Sequence, residues 1–217
     1  MGHGLQGEFA VKSTVLRAGI LMIGLAFSLA ACLTSDAPNL TAEDLTEPTS
    51  FTGEYFATDF PEEKSDRKTI DATVEAIGDR TFRLTFAEGD HKDEPVLVRL
   101  LKLNDGNLLG VLSDPDPAKG AMYAVVTHAS NGAWMFRIVD VRSGSPSRTL
   151  RDALMRHGAE AVNYDTGTYE ETHIKGRLTA ANLRALFSDP DFTQALDSAK
   201  AGFRLSPKAP ETAGAGL

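Results

Sequence analysis

From Phe51 to Val141, apolar residues recur at every second position in short runs separated by glycine, asparagine and aspartate. Ile70, Ala72, Val74 and Ala76 alternate with Thr69, Asp71, Thr73 and Glu75. After Gly78-Asp79, the residues Phe82, Leu84 and Phe86 alternate with Thr81, Arg83 and Thr85. Successive side chains on a strand point to opposite faces, so each run predicts a strand with one buried face, and the two runs together predict a hairpin. Val96 to Leu103 and Leu108 to Ser113 flank Asn104-Asp105-Gly106-Asn107, and Met122 to His128 and Ala133 to Val141 flank Ala129-Ser130-Asn131-Gly132. Tight turns between antiparallel neighbours need positive φ, which Gly, Asn and Asp tolerate. Phe51 to Thr58 opens the series, and Thr168 to Lys175 predicts a further strand. A flat sheet of this size would expose an apolar face and two open edges. The expected fold is therefore mainly β with α (α+β): a curled antiparallel meander or barrel-like sheet of about seven to eight strands, covered by two or three short helices.

The helical cover is read from the region after Val141. Ser145-Pro146 offers an N-cap with proline at the first helical position, Leu150 and Leu154 fall four apart, and Gly158 supplies a stop. Thr179 to Phe187 predicts a second helix, and Asp189-Pro190 opens a third carrying Phe192, Ala195 and Leu196. Leu183, Leu186, Phe187, Phe192 and Leu196 are expected to bury against the sheet. The chain contains no internal repeat.

Ahead of the strands, Lys12 and Arg17 precede fourteen uncharged, mostly apolar residues from Ala18 to Ala31, followed by Cys32, the single cysteine. That run is too short to span a bilayer, which takes roughly 20 apolar residues, but suits the 7 to 15 of a secretory signal. At Leu29-Ala30-Ala31-Cys32 the chain resembles bacterial lipoproteins, whose signal peptides end in an aliphatic residue, two small residues and a cysteine. The resemblance covers about the first thirty-five residues. It implies that Leu29, Ala30 and Ala31 are read by the signal peptidase, that residues 1–31 are removed, and that Cys32 carries the acyl chains. It also implies a periplasm-facing envelope protein. Leu33 stands where an aspartate would mark inner-membrane retention, which favours the outer membrane. More than one acyl chain holds a protein stably to a bilayer.

With Cys32 committed, the mature chain has no thiol for a disulfide. Leu33 to Ser50, with Pro38, Pro48 and no sustained periodicity, reads as a flexible tether, residues 51–205 as one globular domain, and Ser206 to Leu217 as a disordered tail. Setting Lys12, Arg17 and Glu8 aside from the 22 basic and 30 acidic residues leaves a formal charge of −9. This disfavours nucleic acid. The one local basic group, Arg142, Arg148, Arg151 and Arg156, is interleaved with Asp152 and reads as a solvated helix face.

Little in the mature chain reads as chemistry. His91, His128, His157 and His173 are too dispersed for a ligand spacing. Glu171 and His173 would share one strand face, but a metal centre needs three or four converging ligands. Asp114-Pro115-Asp116 and Asp189-Pro190-Asp191 read as a turn and a helix start, because calcium loops supply six to eight oxygens in a longer pattern. Ser143-Gly144-Ser145-Pro146-Ser147 lacks the second glycine of a nucleophile elbow, and Gly106 to Gly110 lacks the Gly-Lys-Ser/Thr of a phosphate loop. No catalytic residue, metal or cofactor is assigned, and the expectation is a non-enzymatic module.

Phe51-Thr52-Gly53-Glu54-Tyr55 resembles the Gly-x-Trp signature of lipocalins, with Tyr55 in place of tryptophan. That likeness implies a closed antiparallel barrel able to enclose an apolar ligand among Phe82, Leu84, Phe86, Trp134 and Phe136. A core filled by those same side chains is the simpler outcome. The leading expectation is thus an anchored interaction or scaffold module with an envelope protein partner. A carrier of lipid or another apolar ligand comes second, and an envelope hydrolase using Glu171, His173 or His128 is the remaining class.

Overall fold

The computed structural model describes residues 33–60, 69–88, 91–92, 94–139, 148–165, 170–176, 178–196 and 202–208. In chain order its strands are β1 (Leu33–Ser35), β2 (Leu45–Thr46), β3 (Gly53–Phe60), β4 (Thr69–Gly78), β5 (Thr81–Glu88), β6 (His91–Lys92) and β7 (Val96–Lys102). They continue with β8 (Leu108–Ser113), β9 (Ala121–His128), β10 (Trp134–Ile138), β11 (Glu160–Asp165), β12 (Glu170–Lys175) and β13 (Gly202–Pro207). Three short helices, α1 (Arg148–Arg156), α2 (Ala180–Phe187) and α3 (Pro190–Ala195), lie between β10 and β13.

Eight strands close on themselves in the order β3, β4, β5, β7, β8, β9, β10, β13, and β13 returns to β3. Every pairing around this ring is antiparallel. Closure removes the exposed edges that an open sheet of these strands would carry. The period of two then assigns the interior. Ala72 pairs with Phe86, Phe82 with Val98, Leu112 with Met122, and Phe136 with both Val126 and Phe203, so neighbouring strands turn their apolar sets inward together. The five residues expected inward, Phe82, Leu84, Phe86, Trp134 and Phe136, are all buried in this core. The β4–β5 hairpin turns on Asp79 and Arg80, both at positive φ, and its register shifts between Ala76 and Gly78. That shift leaves Ile77 exposed on the outside.

A second core lies outside the barrel. Ala124 to His128 of β9 pair with β10, but Ala121 and Met122 pair with β1, so the sheet branches there into β1, β12 and β11. β1 runs parallel to β12, the one parallel pairing of strands among the described residues. The outer faces of β8 and β9, through Leu109, Val111 and Tyr123, pack with Leu33, Ile174 and the helix residues Leu150, Leu154, Leu183, Leu186 and Phe192. Thr179 caps α2 by accepting the Asn182 N–H, Asp189 caps α3 by accepting the Asp191 N–H, and Gly158 at φ 75° follows the end of α1. The expected helix start at Ser145-Pro146 lies outside the described residues.

Two expectations require correction. Leu33 to Ser50 is no tether. Leu33, Leu45 and Phe51 are each buried, and the segment crosses the fold as a strap from the sheet branch to one end of the barrel. Its apolar residues follow no regular period because each meets a different surface. Leu33 reaches the outer core and Phe51 the barrel interior. The domain also extends past residue 205, because β13 runs to Pro207 and Lys208 pairs with Asp71 at 2.9 Å. Residues 209–217 of the expected tail lie outside the described residues. β11 and β13 were not expected, and β13 is the strand that closes the ring.

Candidate functional site

One end of the barrel is sealed by the strap. A 3-10 turn over Thr49–Phe51 brings Phe51 against Phe82, Trp134 and Phe136, at ring distances of 4.8, 5.0 and 5.9 Å. Tyr55 donates its hydroxyl to the carbonyls of Ser50 (2.9 Å) and Phe51 (3.0 Å), and Trp134 Nε1 donates to Ser50 at 3.3 Å. Burial raises the Tyr55 hydroxyl above its usual range, so it stays protonated and able to donate. Further along the interior Phe203 stacks on Phe136 at 4.6 Å and meets Phe86 edge-on at 5.7 Å. An eight-strand barrel is just wide enough for side chains to fill, and here aromatic rings occupy it.

A connected polar group lies at the branch of the sheet, where β1 joins β9 to β12. On one face of β1, Thr34 Oγ1 is 3.0 Å from His173 Nδ1, and His173 Nε2 is 3.1 Å from Asp36 Oδ1. An ionised carboxylate only accepts, so Nε2 carries a proton, and in the neutral ring Nδ1 accepts from the Thr34 hydroxyl. Burial works to raise the Asp36 carboxyl, but the hydrogen bonds from His173 and the Gly176 N–H outweigh it and hold the carboxyl below its usual range. On the opposite face Ser35 donates to the Asp36 carbonyl at 2.7 Å and sits 2.6 Å from the Tyr123 hydroxyl. With the Ser35 proton so placed, Tyr123 donates to Ser35. Burial pushes the Tyr123 hydroxyl up to about 12, against the pull of Ser35 and the Arg99 charge.

Thr34, His173 and Asp36 stand in the order of a hydroxyl, a base and an orienting acid. Acyl transfer also needs N–H donors aimed at the developing oxyanion. Around Thr34 the backbone is paired to β9 on one side and β12 on the other, and the Gly176 N–H is taken by Asp36. The group acts as a clamp that ties β1 to β12 and to the turn at Gly176.

The sequence-named histidines do not converge. His128, at the sealed end, stacks on Trp134 at 4.2 Å. It lies six residues along β9 from Met122, which is level with Thr34 and His173, a separation of roughly 20 Å at strand rise. His157 bonds Asp189 at 3.0 Å, and the backbones of His91 and Glu171 lie in β6 and β12. Among the described residues no three His, Cys, Asp or Glu side chains are grouped to hold a metal ion. Asp114-Pro115-Asp116 forms the expected turn, with Asp114 accepting the Asp116 N–H and pairing with Lys119 at 3.0 Å. Asp189 and Asp191 share Arg156, each at 2.8 Å. Arg148 pairs with Asp152 at 3.8 Å, as a solvated helix face does. Leu29, Ala30, Ala31 and Cys32 lie outside the described residues. No helix among the described residues is long and apolar enough to cross a membrane.

Thr34 and Asp36 were missed at sequence level. They stand one residue either side of Ser35, two apart on the chain, and the residue that gives them meaning, His173, is 139 positions from Thr34.

These features define a closed eight-strand antiparallel barrel with an outer layer of helices and a branched sheet. Compared with protein-family models, curated proteins and solved structures, the chain finds no match in any of the three.

Proposed function

We propose that this protein is a lipid-anchored module of the bacterial cell envelope, acylated at Cys32 and facing the periplasm, with the outer membrane favoured. It works through its outer surface as a non-enzymatic interaction or scaffold domain. The observation that carries this reading is the barrel interior: Phe51, Phe82, Phe86, Trp134 and Phe136 are each no more than 2 % exposed, the Phe51 ring lies against Phe82, Trp134 and Phe136, and Phe203 joins Phe136 to Phe86. A barrel filled in this way offers partners its outside. The address is supported by Leu29-Ala30-Ala31-Cys32 behind a short apolar run. Lipidation confines the domain near the bilayer and raises its effective concentration for neighbours there. Cys32→Ser is expected to move the protein from the membrane to the soluble fraction, and unchanged membrane association would refute the anchor.

Carriage of lipid or another apolar ligand is the second reading, favoured by closure of the eight strands around a core made of apolar residues. Met122 and Val96, where β9 and β7 begin at the end opposite Phe51, belong to that apolar core and keep 9 % and 5 % exposure. Native mass spectrometry of the protein purified from its host decides between the readings. A stoichiometric apolar ligand would establish carriage, and a ligand-free mass would leave the outer surface as the working part.

A further inference from the structure

The lipoprotein pattern and the strap together fix something neither does alone. An anchored domain ordinarily hangs from a flexible linker. Eighteen residues of free chain, as from Leu33 to Ser50, would reach about 60 Å extended or on the order of 25 Å as a coil. Here the strap is pinned along its length. Leu33 is fully buried, donates its N–H to the Val139 carbonyl at 3.2 Å and pairs with Thr172. Thr34 and Ser35 are paired on both sides, and Asp36 donates its N–H to Ile174 at 3.2 Å. Asn39 donates to Leu178 at 2.9 Å, and the carbonyls of Asp44 and Leu45 accept from Arg184 and Arg80 at 3.1 and 2.7 Å. Phe51 ends the strap inside the barrel. The residue bonded to Cys32 is therefore already part of the core, one Cα–Cα step of about 3.8 Å away.

We infer that the domain is clamped to the bilayer without a tether, with the wall around β1, β12 and the end of β10 held against the lipid. This rests on the reading of Cys32 as the acylated residue and adds to it an orientation and a free face. The glycerol of the anchor lies within one side chain's reach of Leu33, so acyl chains cannot enter the membrane without bringing this wall to its surface. Leu33 lies in the lane where β10 ends, beside β9. Counting strands around the ring from β9 through β10, β13 and β3 makes β4 the fourth of eight, on the opposite wall. Its outward residues Thr69, Asp71, Thr73 and Glu75 are all exposed, and none of the helix residues of the outer core packs there. The β4 wall is the surface turned away from the bilayer, toward the periplasm.

The test uses the full chain, processed in a bacterial envelope and reconstituted into phosphatidylethanolamine–phosphatidylglycerol vesicles containing an acceptor-dye lipid. Cys32 is the sole cysteine, and acylation converts its thiol to a thioether, so an introduced cysteine is the only site for a donor dye. Lys175→Cys, exposed on β12, and Thr73→Cys, exposed on β4, report the two walls. Energy transfer to the lipid is expected to be stronger from position 175 than from position 73. A Gly-Ser spacer of about 15 residues between Cys32 and Leu33, spanning roughly 20 Å as a coil, is expected to lower both and abolish the difference. The same spacer after Lys208 leaves the difference intact. Equal transfer from the two positions in the unspaced protein, or a difference that survives the first spacer, overturns the clamped orientation. The mass of the N-terminal peptide separates the two claims. An acylated Cys32 with equal transfer refutes the orientation alone, whereas an unacylated Cys32 refutes the anchor and the orientation together.

Discussion

Replacing Phe51 by alanine tests whether the strap is structural and the barrel filled. The Phe51 ring is fully buried and lies 4.8 Å from Phe82 on β5 and 5.0 and 5.9 Å from Trp134 and Phe136 on β10. β5 and β10 are four strands apart in the ring of eight, so Phe51 spans the barrel between opposite walls. Truncating a buried phenylalanine costs about 3–5 kcal/mol, and the cost rises with the cavity that remains. Opposite walls of a hydrogen-bonded barrel cannot collapse into the gap. The Tyr55 bonds to the carbonyls of Ser50 and Phe51 survive, because they use backbone oxygens. The expected loss is thus about 4 kcal/mol, a large part of the 5–15 kcal/mol typical of a domain. Urea unfolding of the Cys32→Ser protein, followed by circular dichroism and by fluorescence of Trp134, the only tryptophan, reads this as a lower midpoint at an unchanged slope. A loss below about 0.5 kcal/mol, as for a surface position, would refute both the seal and the strap.

Gly202→Ala is expected to disrupt closure, because a Cβ there would overlap the Phe136 carbonyl oxygen across the β10–β13 pair. Hydrogen exchange should show loss of protection in β13 and in the facing parts of β10 and β3, and full protection would count against the register. Tyr123, pushed up to about 12 by burial, keeps its proton in the folded protein while the unfolded chain loses it near 10. Its contribution is intact below pH 10 and disappears as pH rises through 12, a loss of about 2–3 kcal/mol in denaturant midpoints that Tyr123→Phe should abolish. The Asp189 carboxyl is held down to about 2 by Arg156 first, then by His157 and the Asp191 N–H, against burial. Its stabilisation is present above about pH 4 and is lost as pH falls through about 2. Asp189→Asn keeps an oxygen that can cap α3 and should cost about 1 kcal/mol at pH 7 from the lost, half-exposed ion pair with Arg156, and less in acid; an equal cost at pH 2.5 would refute the assignment.

The alternation of Ile70, Ala72 and Val74, and of Phe82, Leu84 and Phe86, determined by itself which residues enter the core, because a strand of period two has only two faces and one of them is apolar. The hairpin turns at Gly106 and Gly132 were legible for the same local reason, since both adopt positive φ. So were the starts of α2 and α3 at Thr179 and Asp189, whose caps reach only two or three residues ahead. The run ending at Cys32 carried the expected address, which is a matter of local chemistry. What lay beyond the sequence was everything set by partners distant along the chain. β13 is a short run with Arg204 outward, and it becomes a strand because β10 and β3 leave a gap that its backbone closes. Leu33 to Phe51 has no period, and only the positions of the outer core, β7 and the barrel end that Phe51 seals show where each apolar residue goes. His173 and Thr34 meet because a parallel pairing brings together strands 139 positions apart. Local periodicity decides the face a side chain takes, whereas closure, branching and the strap depend on which surfaces remain uncovered once the strands have paired, and that is settled only in three dimensions.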